Sequence, residues 1–239
     1  MFLMSVTGGS PPLPIPTTAL TNHFRSDLGV TYSESGLGLL LVSAWADQVG
    51  SRDLSEGTNK PTLVASQIDD HASIKFDGTN DRLQDSSGNI AQGFHLFTII
   101  KQLDWSQSDV LIGETTDYYN PGLGQVASSS SAGGSVSPNI NIILSGAPNT
   151  ALVLDEWHLV GAYFNGSSSY LAVDGTETGV GGDVTAIFTG GLSLACRGST
   201  AFTEVEFAEV AIYSSERTGT ALADIEAYFA DRYPSISIS

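Results

Sequence analysis

The sequence has almost no cysteine and few basic residues. Cys196 is the single cysteine among 239 residues, so no disulfide can form within the chain, and its apolar neighbours predict a buried small side chain. Lys and Arg together number 9 against 26 Asp and Glu, which gives a formal net charge of −17 at pH 7. A surface this acidic repels phosphate backbones, and this argues against nucleic-acid binding.

Long apolar runs and the common catalytic motifs are also missing. No segment is long enough to span a bilayer, so we expect no membrane insertion. The four histidines show no zinc-binding spacing, and no P-loop, G-x-S-x-G elbow or strand-coupled G-x-G-x-x-G occurs. The N-terminal MFLMSVTGGS has neither the basic region nor the apolar length of a signal peptide. These absences predict a cytoplasmic protein, or one assembled in a host cytoplasm and released by lysis.

The pattern that is present is antiparallel β. Residues 158–164 predict a strand, and Asn165-Gly166 favours a tight hairpin turn into residues 169–173. Asp174-Gly175 forms a second such turn into residues 176–178. Three strands and two turns within thirty residues predict an antiparallel meander and an all-β protein.

Other segments extend this prediction. The nearly continuous apolar run 94–103 indicates a central strand, and we expect residues 109–113 to pair with it. Residues 218–232 predict the one helix, capped by Thr218 or Thr220, with an apolar stripe formed by Leu222, Ile225, Tyr228 and Phe229.

Four segments in order resemble the concanavalin A-like (laminin G-like) domains found in bacteriophage virion and bacterial surface proteins. They are V-S-A-W-A-D-Q at 42–48, I-K-F-D-G-T-N-D-R-L at 74–83, D-E-W-H-L-V with Y-L-A-V-D-G-T within 155–176, and F-A-E-V-A-I-Y at 207–213 with the helix ending Y-F-A-D-R-Y. The resemblance implies a two-sheet antiparallel β-sandwich, a jelly roll with a short C-terminal helix, spanning residues 23–239. It also implies that Trp45 and Trp157 lie in the core. This fold hosts lectins, adhesins, enzymes and structural modules, so it leaves function open.

Residues 1–22 precede this domain as a proline-rich arm. Pro11, Pro12, Pro14, Ile15 and Pro16 predict an extended polyproline segment. A floppy leader and an ordered docking arm are both compatible with this composition. We interpret the segment as an arm that anchors the protein to a major capsid or other virion protein, and we expect a homo-oligomer.

The leading functional hypothesis is a non-enzymatic virion surface protein, namely a bacteriophage capsid decoration or fibre subunit that also binds a host-surface glycan as an adhesin. Loop aromatics and amides are the groups that bind sugars, and Trp105, Tyr118, Tyr119 and Asn120 fit this chemistry. The same aromatics also suit a covered sheet edge or a protein interface. A cellular lectin on the same fold is a further alternative.

The enzymatic alternative is a polysaccharide-degrading glycoside hydrolase that uses Glu204, Glu206 and Glu209. Jelly-roll glucanases, to which this run is similar, carry E-x-D-x-x-E on one strand, and a retaining mechanism needs two carboxyls about 5 Å apart. Here Glu206 replaces the middle Asp. The same run also matches the laminin G-like strand in which Glu209 is structural.

We expect no cofactor, with calcium as the alternative, because relatives of this fold hold calcium with Asp carboxylates in end loops. The candidate ligands are Asp69-Asp70, Asp77 with Asp81, and Asp183. None of these forms a metal motif, so the metal stays unknown. The preferred interpretation is that Asp77, Asp81 and Asp174 cap their own turns.

Overall fold

The computed structural model of the protein describes residues 12–85, 88–106, 109–115, 122–126, 139–142, 149–180 and 190–239. Within these ranges the chain forms seventeen β-strands and one α-helix. The strands are β1 (Leu20–Arg25), β2 (Val30–Glu34), β3 (Leu40–Trp45), β4 (Leu54–Ser55), β5 (Thr62–Ile68), β6 (His71–Asp77), β7 (Leu83–Gln84), β8 (Phe94–Gln102), β9 (Val110–Glu114), β10 (Leu123–Val126), β11 (Asn139–Ile142), β12 (Asn149–Ala151), β13 (Trp157–Phe164), β14 (Tyr170–Val173), β15 (Thr176–Val180), β16 (Leu192–Leu194) and β17 (Glu204–Tyr213). The helix, α1, is Thr220–Arg232. The prediction of an all-β antiparallel protein with one short C-terminal helix is confirmed.

Strands β8 and β17 lie at the centre of the pairing. β17 pairs with β8, with β6 near its start and with β1 near its end. From β8 the pairing continues through β13, β14 and β15, and from β6 it continues through β5 to β3. β3 also pairs with β2 and β4, and from β4 a second series runs through β7, β16, β9, β10, β11 and β12. β3 therefore joins the two series of strands.

Two clusters of buried apolar side chains use the two faces of the β8–β13–β17 region. On β8, Leu96 and Ile100 belong to the first cluster, while Phe97 and Ile99 belong to the second. This is the period-two alternation of a strand buried on both sides. β9 and β16 contribute to the first cluster, and α1 contributes Ile225, Tyr228 and Phe229 to the second. We call the side that carries the second cluster and α1 the helix face.

The predicted meander is present as β13, β14 and β15. Asp174 and Gly175 have φ values of 51° and 82° and form the predicted two-residue turn. The other connection differs, because residues 166–168 form a single 3-10 turn. Ser169 Oγ accepts a hydrogen bond of 2.8 Å from the Asn165 N–H, and this side-chain contact closes a longer loop than the Asn-Gly pair alone predicts.

The expected pairing of residues 109–113 with the central strand is wrong. β9 pairs with β10 and β16 instead, so β8 and β9 belong to different series although they are consecutive in the sequence. Residues Leu111 and Ile112 of β9 are buried, as they would be beside β8. Burial on a strand does not specify which strand lies next to it.

The core assignments are mostly confirmed. Trp45 and Cys196 are fully buried. The helix buries Ile225, Tyr228 and Phe229 of the predicted stripe, and Leu222 is partly buried. The helix begins after Gly219, whose φ is 55°, and no side chain caps it. Trp157 was expected in the core, but it lies half-buried at the edge of the second cluster. Within the described residues, no helix is long and apolar enough to cross a membrane.

Residues 12–16 of the proline-rich arm contact the rest of the chain. The Leu13 N–H donates to Asp231 Oδ2 at 2.9 Å, and the Tyr213 hydroxyl donates to the Pro16 carbonyl at 3.0 Å. Ile15 packs against the second cluster. β1 begins at Leu20, ahead of the boundary expected at residue 23. Pro11 lies outside the described residues, and the role of Pro12, Pro14, Ile15 and Pro16 as a partner anchor stays a prediction.

Candidate active site

A row of charged and aromatic side chains crosses four adjacent strands on the helix face. Lys75 of β6 stands opposite Glu206 of β17, which stands opposite Lys101 of β8, and Lys101 in turn stands opposite Trp157 of β13. Residues directly opposite in antiparallel strands share a face and lie within side-chain reach. The row therefore sets one carboxylate between two ammonium groups, with an indole ring at one end.

Glu206 is held tightly at the centre of this row. Lys101 Nζ lies 2.9 Å from Glu206 Oε1, and the Ser73 hydroxyl donates to Oε2 at 2.5 Å. Lys101 Nζ also lies 5.1 Å from the centroid of the Trp157 ring, a cation–π distance. Because the Glu206 side chain is only 6% exposed, these donors fix its orientation.

Glu204 lies two residues before Glu206 on the same strand, so both carboxylates point to the same side of the sheet. Alternate residues of a strand are about 7 Å apart along the backbone, a spacing close to the carboxyl separation of inverting glycoside hydrolases. Glu204 pairs with Lys75 at 3.3 Å, and its side chain is 36% exposed. The two carboxylates therefore differ in accessibility.

Glu209, the third carboxylate of the run, is fully enclosed. Its side chain is 0% exposed and forms hydrogen bonds to four groups: His23 Nε2 at 2.6 Å, the Tyr228 hydroxyl at 2.6 Å, the Tyr233 hydroxyl at 2.8 Å and Arg232 Nε at 2.8 Å. Burial alone would raise the pKa of Glu209, but the hydrogen bond and charge of His23 and the charge of Arg232 outweigh it and lower the pKa. Glu209 thus joins β1, β17 and α1 and has no open side for a substrate.

A β-bulge explains how Glu209 reaches the helix face. The register between β17 and β8 shifts between Phe207 and Glu209. Ala208 belongs to the second cluster, while Phe207 and Val210 belong to the first, so two consecutive residues, Ala208 and Glu209, share one face. The spacing E-x-E-x-x-E therefore gives three carboxylates on one side, of which Glu204 is the most exposed and Glu209 is fully enclosed.

The predicted glycan-binding residues are not brought together with this row. Trp105 is half-buried in the connection after β8, and its backbone N–H donates to Asp104 Oδ1 at 2.7 Å. Tyr118, Tyr119 and Asn120 lie outside the described residues. Their role in sugar binding stays a prediction.

Two of the candidate calcium ligands accept hydrogen bonds from backbone N–H groups. Asp77 Oδ1 accepts from the N–H groups of Thr79 and Asn80 at 2.8 and 3.1 Å, as the capping interpretation predicts. Asp69 Oδ2 accepts from the N–H and hydroxyl of Ser235, and Asp183 lies outside the described residues. Among the residues that the structure describes, no three His, Cys, Asp or Glu side chains are grouped to hold a metal ion. Calcium binding stays a prediction.

Sequence analysis missed the surroundings of Glu206 and one cleft. Only cross-strand pairing reveals that Lys75 and Lys101 stand beside Glu206 and that Trp157 stands beside Lys101. A cleft of about 380 Å³ also lies between the start of β1, residues 50–52 and residues 89–91, with hydroxyl, amide and guanidinium groups from Thr21, Asn22, Ser51, Arg52, Asn89 and Ser214. No local motif marks it, because its walls come from distant parts of the chain.

No protein-family model matches the chain, and no curated protein matches it. Solved structures do match. A Trypanosoma rangeli sialidase in complex with sialic acid has a TM-score of 0.59 and 15% identity, over 97% of this chain and 36% of that one. An arabinofuranosidase complexed with arabinofuranosyl-α-1,2-xylobiose has a TM-score of 0.62 and 8% identity, over 92% of this chain and 60% of that one. An α-L-arabinofuranosidase soaked with 4-nitrophenyl α-L-arabinofuranoside has a TM-score of 0.61 and 10% identity, over 82% and 52%.

Similarity at these identities shows the fold alone, and the chain spans about a third of the sialidase it matches. Even so, it corrects two expectations. The hypotheses of a bacteriophage virion surface protein and of a non-enzymatic protein are wrong, because these structural neighbours are glycosidases and they favour the glycoside hydrolase alternative. The error arose because the matched hairpin and strand motifs report strand pairing, which virion proteins and enzymes of one fold share.

Proposed function

We propose that this chain is a glycoside hydrolase-type protein that binds a carbohydrate on the helix face and cleaves it with Glu204 and Glu206. The observation that carries the proposal is the pair of carboxylates on one face of β17, one accessible and one fixed by Lys101 and Ser73. The likeness to sialidase and arabinofuranosidase structures supports it. The sugars that those enzymes bind are not assigned to this chain, and its substrate has to be identified by experiment.

For the fold, we propose a concanavalin A-like jelly-roll sandwich. Two series of antiparallel strands joined by β3, with apolar residues of both series in the first cluster, support this architecture. A sandwich of this kind that binds carbohydrate on one face is lectin-like, and we include this property in the proposal.

The two carboxylates suit different roles. Glu206, held by two donors, is oriented to take a proton from a water that attacks the anomeric carbon as the bond to the leaving oxygen breaks. Glu204, the more exposed group, donates a proton to that leaving oxygen, and exchange with solvent afterwards restores both carboxyl groups. The Trp157 ring offers an apolar surface on which a sugar ring stacks.

The test is hydrolysis of a panel of 4-nitrophenyl glycosides, including the α-L-arabinofuranoside, and of sialosides by the full chain. For the substrate that is cleaved, Glu204→Gln and Glu206→Gln should each lower kcat by about 10²–10⁴-fold. Glu34→Gln, an exposed carboxylate on β2, is the matched control and should retain full activity.

Two results would reject this assignment. One is hydrolysis that survives both substitutions in folded protein. The other is a pair of negative results: no glycoside of the panel is cleaved, and Trp157→Ala leaves binding of the same sugars unchanged. Trp157→Ala is expected to raise KM, because stacking contributes to binding of substrate and transition state alike.

A further inference from the structure

A small cavity of about 80 Å³ lies between α1 and strands β8, β13 and β14. Its walls include the apolar side chains of Phe97, Leu159, Tyr170 and Leu222, and His95 is the one imidazole among its lining residues. One water occupies about 30 Å³ in the liquid, whereas sites for whole drug-sized ligands reach 300–1,000 Å³. The cavity therefore admits a substituent of a few heavy atoms, and a complete sugar ring is too large for it.

His95 presents an unpaired donor here. It is 1% exposed, and its Nδ1 accepts a hydrogen bond of 3.2 Å from the Arg217 N–H. Burial, and then the positive charge of Arg217, lower the pKa of His95 to about 3, so the ring is neutral and its proton is on Nε2. Among the described residues, Nε2 has no hydrogen-bond partner. An unpaired buried donor is destabilising, and a ligand acceptor would remove this penalty.

Two carboxylates complete the lining. Glu177 of β15 is exposed, and Glu226 of α1 is partly exposed. The cavity thus offers a buried N–H donor, an apolar wall and acceptor groups near solvent. A complementary ligand carries an acceptor, a methyl-sized apolar group and an N–H donor close together.

From this complementarity we propose that the cavity binds the acetamido group of an N-acetylated sugar. The acetamido carbonyl oxygen accepts from His95 Nε2–H, its methyl packs among Phe97, Leu159 and Leu222, and its N–H donates to Glu226 or Glu177. The proposal goes beyond the glycosidase assignment, because this binding uses neither Glu204 nor Glu206.

The experiment is a titration of the full chain, with the imidazole nitrogens labelled with ¹⁵N, followed by NMR. Acetamide and N-acetylglucosamine should each shift the His95 Nε2 resonance saturably, while glucose should leave it in place. Glu204→Gln should retain the shift even if hydrolysis is lost. Failure of the glycosidase proposal and failure of this one are therefore distinguishable.

Gly161→Ala tests the cavity without removing His95. Gly161 lines the cavity, and an added Cβ would meet Phe97 Cε1 at 3.4 Å and Ala172 Cβ at 3.7 Å, contacts that the fold can accommodate. The variant should weaken acetamide binding at least tenfold. Gly57→Ala, where an added Cβ meets nothing within 4 Å, should bind as the parent does. The proposal would be overturned if neither acetamido compound gave a saturable shift, or if glucose gave an equal one. It would also be overturned if one retained water were the only group that binds His95 Nε2.

Discussion

At the scale of single residues, Glu209 is a buried carboxylate whose four partners come from β1 and from α1 and the residue after it. Glu209→Gln keeps the shape but removes the charge that faces Arg232, whose side chain is 11% exposed. Breaking one partner of a buried ion pair typically costs about 3–5 kcal/mol. We expect this loss in the free energy of unfolding measured with urea. Glu204→Gln, which breaks the exposed pair with Lys75, should cost about 0–1 kcal/mol.

The pKa shift of Glu209 also predicts a pH dependence. Because the pKa is lower in the folded than in the unfolded state, the carboxylate contributes stability that is present above the unfolded value, near 4.5, and is lost as pH falls through the folded value. Urea unfolding between pH 7 and pH 3 should therefore show a steeper loss for the parent than for Glu209→Gln. Parallel curves would contradict this account.

The pKa of Asp81 is shifted in the opposite direction, and its effect on stability is reversed. Burial, and then the charge of Asp77, raise the pKa of Asp81 to about 6, although the Asp77 N–H donates to its Oδ2 at 3.1 Å. The folded state then binds more protons than the unfolded state between about pH 4 and 6, so this group lowers stability as pH rises through that window. Asp81→Asn should raise Tm at pH 7 and leave it unchanged near pH 3.5.

Asp77→Asn is the matched control for Asp81→Asn. Asp77 accepts backbone N–H groups, and these lower its pKa although burial opposes them. Its replacement should lower Tm at pH 7. If Asp81→Asn also lowered Tm at pH 7, the charge repulsion between the two residues would not be the dominant effect.

At the scale of elements, the turn after β6 is fitted against the start of β17. Gly78 has φ +69°, and an added Cβ would meet the Glu204 N at 2.9 Å and the Glu204 Cβ at 3.0 Å. Gly38, between β2 and β3, has φ +77° with nothing within 4 Å. Gly38→Ala should cost only the left-handed conformation, about 1–2 kcal/mol, and Gly78→Ala should cost more. Equal losses in urea unfolding would show that contact with β17 is unimportant.

At the scale of the whole molecule, the net charge of −17 sets the response to salt. Self-repulsion among like charges destabilises the compact state, and salt screens it over about 10 Å at 0.1 M. Thermal unfolding should therefore show Tm rising from 10 mM to 500 mM NaCl. A larger rise with CaCl₂ at equal ionic strength would indicate a specific calcium site, whereas equal rises would indicate screening alone.

Much of the fold was predictable because its signals are local. The apolar stripe at helical spacing predicted α1, and the Asp174-Gly175 turn predicted the second half of the meander. The partner of β9 was not predictable, because a strand buried on both faces looks the same beside any neighbour. The position of Trp157 was missed for a related reason, since a tryptophan at a strand start suits both a core and a sheet edge.

The candidate site divides in the same way. The run E-V-E-F-A-E by itself determined that Glu204 and Glu206 share a face, since side chains alternate along any strand. Only the tertiary structure decided that the bulge at Ala208 turns Glu209 toward α1 and encloses it, and that Lys75 and Lys101 flank Glu206. Local backbone geometry follows from neighbouring residues, whereas contacts between residues 19 to 186 positions apart depend on how all the strands pair at once. The sequence determined the all-β class and the carboxylate run, and the pairing of strands decided which of those carboxylates meets solvent.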